Sequence, residues 1–239
     1  MESVVASGAG STGLPPWKRA LDLAFVLVLA PLLLLLGAIL TLIVWCGSHG
    51  PILFRQQRVG WRGRPFTLLK FRTMRVDADT RSHQEHVQRL MESDEPMTKL
   101  DARRDPRLAP LGATLRAVGL DELPQLLNVL RGEMSVVGPR PCLPYEYERY
   151  TVAHRQRLNA IPGLTGLWQV SGKNRTTFQQ MVDLDVEYSR RMSLWLDLGI
   201  IMKTIPALWT QCMEIRAARR QRTGAAPTGI TKSMPLQNL

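Results

Sequence analysis

The chain has 239 residues, 45% of them apolar, enough to bury one core in a single domain with appended segments. Its formal charge of +11 and pI near 10.3 call for an anionic partner, whether nucleic acid, an acidic membrane face or phosphorylated substrates, and charge alone does not choose among them. Three scattered cysteines, Cys46, Cys142 and Cys212, form no CxxC pair, and no histidine cluster has metal-ligand spacing. We therefore expect reduced thiols, a reducing compartment and no zinc site.

Residues 1–16 are rich in Ser, Gly and Ala without periodicity and are expected to be disordered. From Leu21 to Trp45 the chain is almost wholly apolar, interrupted by Asp22 and Pro31, and long enough to span a bilayer. Its length and late start, with no clear cleavage site after it, argue against a signal peptide. Lys18 and Arg19 precede the run, and Arg55, Arg58, Arg62 and Arg64 follow it, so both flanks carry the charge of a cytoplasmic face. One reading is a re-entrant helix-break-helix over residues 17–48, broken at Pro31; the other is a straight span with a proline kink.

Pro51–Gly60 and Arg64–Met74 read as two strands of a hairpin punctuated by Gly60 and Gly63. No acidic residue lies between Arg55 and Arg75. This ribbon is either a solvated or lipid-facing basic surface, or a place where Lys70 or Arg72 approaches bound phosphates. Residues 77–105 suggest a surface helix and loop, with His83 and His86 as exposed helix residues rather than ligands. A short helix from Leu108 to Val118 would carry Arg116 close to the next segment.

That segment, Leu120-Asp121-Glu122-Leu123-Pro124-Gln125, holds an adjacent carboxylate pair, and Gly138-Pro139-Arg140-Pro141 follows it after a helix and a short strand at Met134–Val137. A carboxylate can act as nucleophile or hold a divalent cation, and an arginine fork can clamp phosphoryl oxygens, so the combination suggests chemistry on a phosphate. Asp121 is equally readable as a helix N-cap, with Pro124 in the first turn; the two roles are compatible because a helix start favours anions. Glu122 points about 100° away around a helix and is available for a separate role. Pro139 and Pro141 restrict the backbone around Arg140, which suits bidentate phosphate binding or a plain structural turn.

A polar helix is expected over Tyr145–Asn159. The Gly-rich stretch Ile161–Arg175 ends in Lys173 and Arg175 and is a weak candidate for a phosphate cradle. Asp183, Asp185 and Tyr188 follow on a helix whose default reading is a solvated acidic face. The last helix, Ser193–Arg216, carries Trp195 and Trp209 on an apolar face that is either core or a helix lying in the membrane interface. Residues 217–239 are expected to be a disordered basic tail. Together these elements predict an α+β, mostly helical fold: a membrane segment at 17–48, a small hairpin, interfacial amphipathic helices and a catalytic domain over residues 49–216.

The apolar segment, Lys70-Phe71-Arg72-Thr73-Met74, Asp105-Pro106-Arg107, the Asp121 and Arg140 motifs and Pro162-Gly163-Leu164-Thr165-Gly166-Leu167-Trp168-Gln169-Val170 closely resemble, in order over Trp17–Ala207, the bacterial sugar transferase family. These are the monotopic polyprenyl-phosphate phosphoglycosyltransferases, and the chain resembles their minimal catalytic unit. The resemblance implies transfer of a phosphosugar from a UDP-sugar to polyprenyl phosphate, with release of UMP, on the cytoplasmic face of the bacterial inner membrane. It implies Asp121 as the nucleophile of a covalent intermediate, Mg²⁺ held beside Asp121 and Glu122, and Glu122 as metal partner or base.

By the same resemblance Arg140, between Pro139 and Pro141, binds phosphate or the uridine end, Arg116 supports the acidic pair, and Lys70 and Arg72 line the site. Lys173, Arg175, Asp185 and Tyr188 are weaker candidates. The sequence departs from the family at Ala30, where a serine often precedes the membrane proline, and at Ala117-Val118-Gly119, where Arg-Thr-Ser is common. Membrane lipid is an expected partner, nucleic acid is not, and oligomeric state is open. A membrane-anchored basic adaptor without catalysis is the alternative reading.

Overall fold

The computed structural model describes residues 15–47, 50–74, 81–97, 112, 115–116 and 119–224. The Asp105-Pro106-Arg107 motif, most of the helix expected over 108–118 and both expected disordered ends up to residue 14 and from 225 lie outside the described residues.

Helix α1 runs from Pro16 to Gly47 with Pro31 inside it. The helix continues through Pro31, where leucines and alanines on either side sustain it across the lost backbone donor, and it does not confirm the re-entrant reading. It is long and apolar enough to cross a membrane. Yet both of its ends pack on the same globular body. Val26 joins the main core with Phe66, Val129 and Ile200, while Leu40 and Val44 join a second cluster with Phe71 and Leu115. Between them Leu27, Val28, Leu32, Leu34 and Leu35 are exposed.

The hairpin forms where the two runs around Gly60 and Gly63 place it. Strand β1 (Leu53–Val59) pairs antiparallel with β2 (Pro65–Phe71), from Leu53 opposite Phe71 to Val59 opposite Pro65. Helix α2 covers Arg81–Glu92. A 3-10 turn at Leu120–Glu122 follows Gly119 and leads into α3 (Gln125–Arg131), which Gly132 ends in the left-handed conformation that glycine adopts at helix C-termini.

Strand β3 (Ser135–Val137) was legible as a strand. Its parallel partner β4 (Gly163–Thr165) lies inside what reads as a glycine loop. Those glycines serve backbone contact. A Cβ on Gly138 would stand 2.1 Å from the Ile161 carbonyl oxygen, and one on Gly163 2.0 Å from the Gly138 nitrogen, so only hydrogen fits where the two segments meet.

The helix expected over Tyr145–Asn159 is three pieces: α4 (Pro144–Glu148), α5 (Val152–Arg155) and a 3-10 turn at Gln156–Asn159. Thr151 divides the first two, its hydroxyl accepting the His154 N–H and starting a new helix. Helix α6 (Leu167–Val170) and a 3-10 turn at Lys173–Arg175 precede α7 (Phe178–Arg191), where Thr177 and Gln180 form a capping box. Helix α8 runs from Leu194 to Gly224, past the expected boundary at 216. It buries Ile200 and leaves Trp195, Met202, Ile205 and Trp209 exposed. Among the described residues the fold is thus mostly helical, with two small sheets and a long apolar amino-terminal helix.

Candidate active site

The carboxylate pair sits on the 3-10 turn before α3, and the N-cap of that helix is Pro124, so Asp121 is not the cap. Asp121 is buried, 6% exposed, whereas the Glu122 side chain is 44% exposed. Asn128 of α3 fixes the turn against the hairpin: its amide accepts from the Leu69 N–H and donates to the Thr67 carbonyl and to Glu133. This cross-link puts Lys70 beside the pair, with Nζ 3.0 Å from Glu122 Oε1. Arg72 follows at the end of β2, buried, its backbone N–H donating to Ile52. Arg116 Nε donates to Thr73 Oγ1 at 2.9 Å. Asp121, Glu122, Lys70, Arg72 and Arg116 are therefore brought to one region around the end of the hairpin.

The remaining predicted residues are placed differently. The Arg140 guanidinium forms a bidentate pair with Glu146, at 3.0 and 3.1 Å. Its backbone N–H donates to Asp185 and its carbonyl accepts from Arg157, which also pairs with Asp185 and Tyr150. Arg58 donates to the Pro141 carbonyl. Pro139 and Pro141 thus hold a loop whose carbonyls are all committed to neighbours, Pro139 through the Gly163 N–H. Burial, then the Arg140 charge, draws the Arg58 guanidinium down to about 10. Burial would raise the Glu146 carboxyl, but Arg140, Arg58 and the Leu143 N–H outweigh it and hold it below the usual carboxylate range.

Asp185 and Tyr188 are not part of a solvated acidic face, since both are fully buried; Asp183 alone of that trio is exposed. Tyr188 belongs to a network that the sequence did not reveal. Lys18 of α1 donates to the Val137 carbonyl at 2.7 Å, to Tyr188 Oη at 2.9 Å and to Asp197 at 2.5 Å, and Tyr188 donates to Asp197. Asp22 accepts from Ser135 Oγ and the Val136 N–H, both at 2.8 Å. Arg19 donates to the Val129 and Leu130 carbonyls at the end of α3. The one available signal was Asp22, a carboxylate inside an apolar run, which needs a partner. Lys173 and Arg175 lie on the turn after α6, held by Trp168 Nε1 donating to Thr176 and Thr176 donating to the Lys173 carbonyl.

The profile of the bacterial sugar transferase family matches residues 15–211. The chain belongs to that family. This sugar transferase is 40% identical over 195 residues to the exopolysaccharide production protein ExoY of Sinorhizobium fredii, covering 80% of the present chain and 84% of ExoY. It is 39% identical over 201 residues to the UDP-glucose:undecaprenyl-phosphate glucose-1-phosphate transferase of Caulobacter vibrioides, covering 81% and 70%. The galactosyl transferase CpsE of Streptococcus agalactiae is 46% identical over 157 residues, 65% of this chain but only 34% of CpsE. The sugar transferase therefore spans most of some relatives and about a third of others.

Among the described residues no three His, Cys, Asp or Glu side chains gather into a metal cage. Two adjacent carboxylates, Asp121 and Glu122, are the number magnesium takes from protein when substrate phosphates and water fill the other positions.

Proposed function

We propose that this sugar transferase is a membrane enzyme that moves a phosphosugar from a UDP-sugar to undecaprenyl phosphate through a covalent intermediate on Asp121. The observation that carries the reading is the grouping of Asp121, Glu122 and Lys70 at the base of the membrane helix, in a chain whose relatives are named for that transfer. An Asp121 carboxylate oxygen attacks the sugar-bearing phosphorus. The bond to the bridging oxygen breaks, and UMP leaves with that oxygen and its electron pair. A phosphate oxygen of the acceptor then attacks the same phosphorus, Asp121 is released, and a polyprenyl-diphosphate sugar forms.

Glu122 takes the proton of the acceptor phosphate where one is present, and Lys70 orients Glu122 and offers positive charge to the diphosphate. Arg72 and Arg116 add positive charge at the same edge. Magnesium held by Asp121 and Glu122 would neutralise diphosphate charge. In this reading Arg140 acts by holding its loop through Glu146, and it reaches substrate only if that pair opens.

The packing of both α1 ends on one body supports a monotopic arrangement. In a straight helix Lys18 and Val44 would lie roughly 39 Å apart, more than the ~30 Å hydrocarbon layer. A crossing helix could not seat both on a domain that stays on one side. We place that domain on the cytoplasmic face. UMP release by the full chain in detergent with Mg²⁺, undecaprenyl phosphate and a panel of UDP-sugars tests the reaction: turnover on one donor, lost in Asp121→Asn, is expected. Equal turnover in Asp121→Asn would overturn the nucleophile, and no turnover on any UDP-sugar would overturn the donor class.

A further inference from the structure

Between α1 and the rest of the molecule lies an open groove of about 1310 Å³. One wall is the central span of α1, including Leu27, Ala30, Leu34 and Gly37; the other is formed by β1, the end of β2 and α3, including Leu127 and Leu130. Its floor reaches Leu123 and Pro124, the residues directly after Asp121 and Glu122. The lining is apolar except for Thr41 and two cations, Arg55 and Arg72, with no carboxylate among the described residues that form it. Such a space fits an amphiphile with a long hydrocarbon body and an anionic head, and continuity with the carboxylate pair puts that head where phosphoryl transfer takes place.

The wall on α1 is kept low by small residues. A Cβ built on Gly37 meets nothing within 4 Å, so a side chain there would enter the groove rather than the protein. Glycine inside a helix costs about 1 kcal/mol relative to alanine, and no packing contact requires it at this position.

We propose that this groove seats the first isoprenoid units of the polyprenyl phosphate acceptor, that Arg55 and Arg72 draw its phosphate toward Asp121, and that the missing side chain at Gly37 sets the width available to the branched chain. The proposal rests on the reading that the acceptor is a polyprenyl phosphate. A methyl-branched isoprenoid is broader than a straight acyl chain, so filling the groove at position 37 should discriminate against it.

The test uses the full chain in lipid nanodiscs and a polyprenyl phosphate carrying a photoreactive diazirine in its first isoprene units. Labels are expected within residues 27–41 and 123–130, competed by unlabelled undecaprenyl phosphate and not by equal phosphatidylglycerol. In turnover, Gly37→Leu should raise KM for undecaprenyl phosphate at least about tenfold with KM for the UDP-sugar unchanged, the low end of what a one-methylene misfit costs in an apolar pocket, while Gly37→Ala stays near wild type. Labels elsewhere, labels removed by phosphatidylglycerol alone, which would make the groove a seat for bilayer lipid, or an unchanged KM in Gly37→Leu would each overturn it. Labelling needs no turnover, so failure of the proposed reaction and failure of the groove are separable, and the wild-type label map decides if the leucine variant does not fold.

Discussion

Adjacent carboxylates in one turn have unequal surroundings here, and the proposed reaction gives each a different part. Asp121 is buried and Glu122 opens to solvent beside Lys70. We expect Glu122→Gln to lower kcat by about 10²–10⁴ without unfolding the chain, the usual range for a lost general base, measured as UMP release beside a circular dichroism spectrum. Glu146 is the opposite case, a carboxylate whose role is structural. It is fully buried against Arg140, with its titration held low. Its stabilisation is therefore present above the ordinary carboxylate pKa and disappears as pH falls through the lower folded value. Glu146→Gln should cost about 3–5 kcal/mol near neutrality, because Arg140 is left buried without its counter-ion. The same variant should lose stability less steeply than wild type below pH about 4.5, and an equal slope in acid urea titrations would refute the assignment.

At the scale of elements, the first turns of α1 are built into the domain by Lys18, Arg19 and Asp22. Lys18→Met should destabilise by about 3–5 kcal/mol by stranding Asp197, and adding Asp197→Leu should recover much of that loss, a coupling that a double-mutant cycle on thermal unfolding would read. Gly138→Ala should also destabilise, since its Cβ would collide with the Ile161 carbonyl; retention of the wild-type Tm would contradict the close approach. The hairpin was legible because strand-like runs and glycine punctuation are local signals, and the Asp121 and Arg140 motifs because their residues are consecutive. Lys18 reaches partners 119, 170 and 179 positions away, which no local pattern encodes. For the same reason no local pattern pointed to the pairing of Arg140 with Glu146 or of Tyr188 with Asp197. Glu146 and Asp197, which hold them, carry no motif of their own. Strand β4 was missed because its glycines, required by backbone contact with Gly138, read as loop.

For the whole molecule, the position of α1 decides topology. Single cysteines introduced at Pro15 and Gly50, in a background lacking Cys46, Cys142 and Cys212, should both react with a membrane-impermeant maleimide from the same side of inverted vesicles. Reaction from opposite sides would establish a crossing helix. Trp195 and Trp209 are exposed on α8, whose Ile200 shares a core cluster with Val26 of α1, so on the proposed membrane reading lipid would meet the protein along more than one element.

Val26, Leu40 and Val44 belong to the hydrophobic clusters of the globular body, so α1 is an interior component as well as the membrane segment. A version cut back to residue 49 would lose one wall of its core together with the ion pair at Asp197, and it should aggregate rather than yield a soluble enzyme. In the cell the same arrangement fixes an order of events during synthesis. Lys18 finds its partners only after β3, α7 and α8 have been translated, so on the proposed membrane reading α1 would meet the bilayer before the domain closes on it.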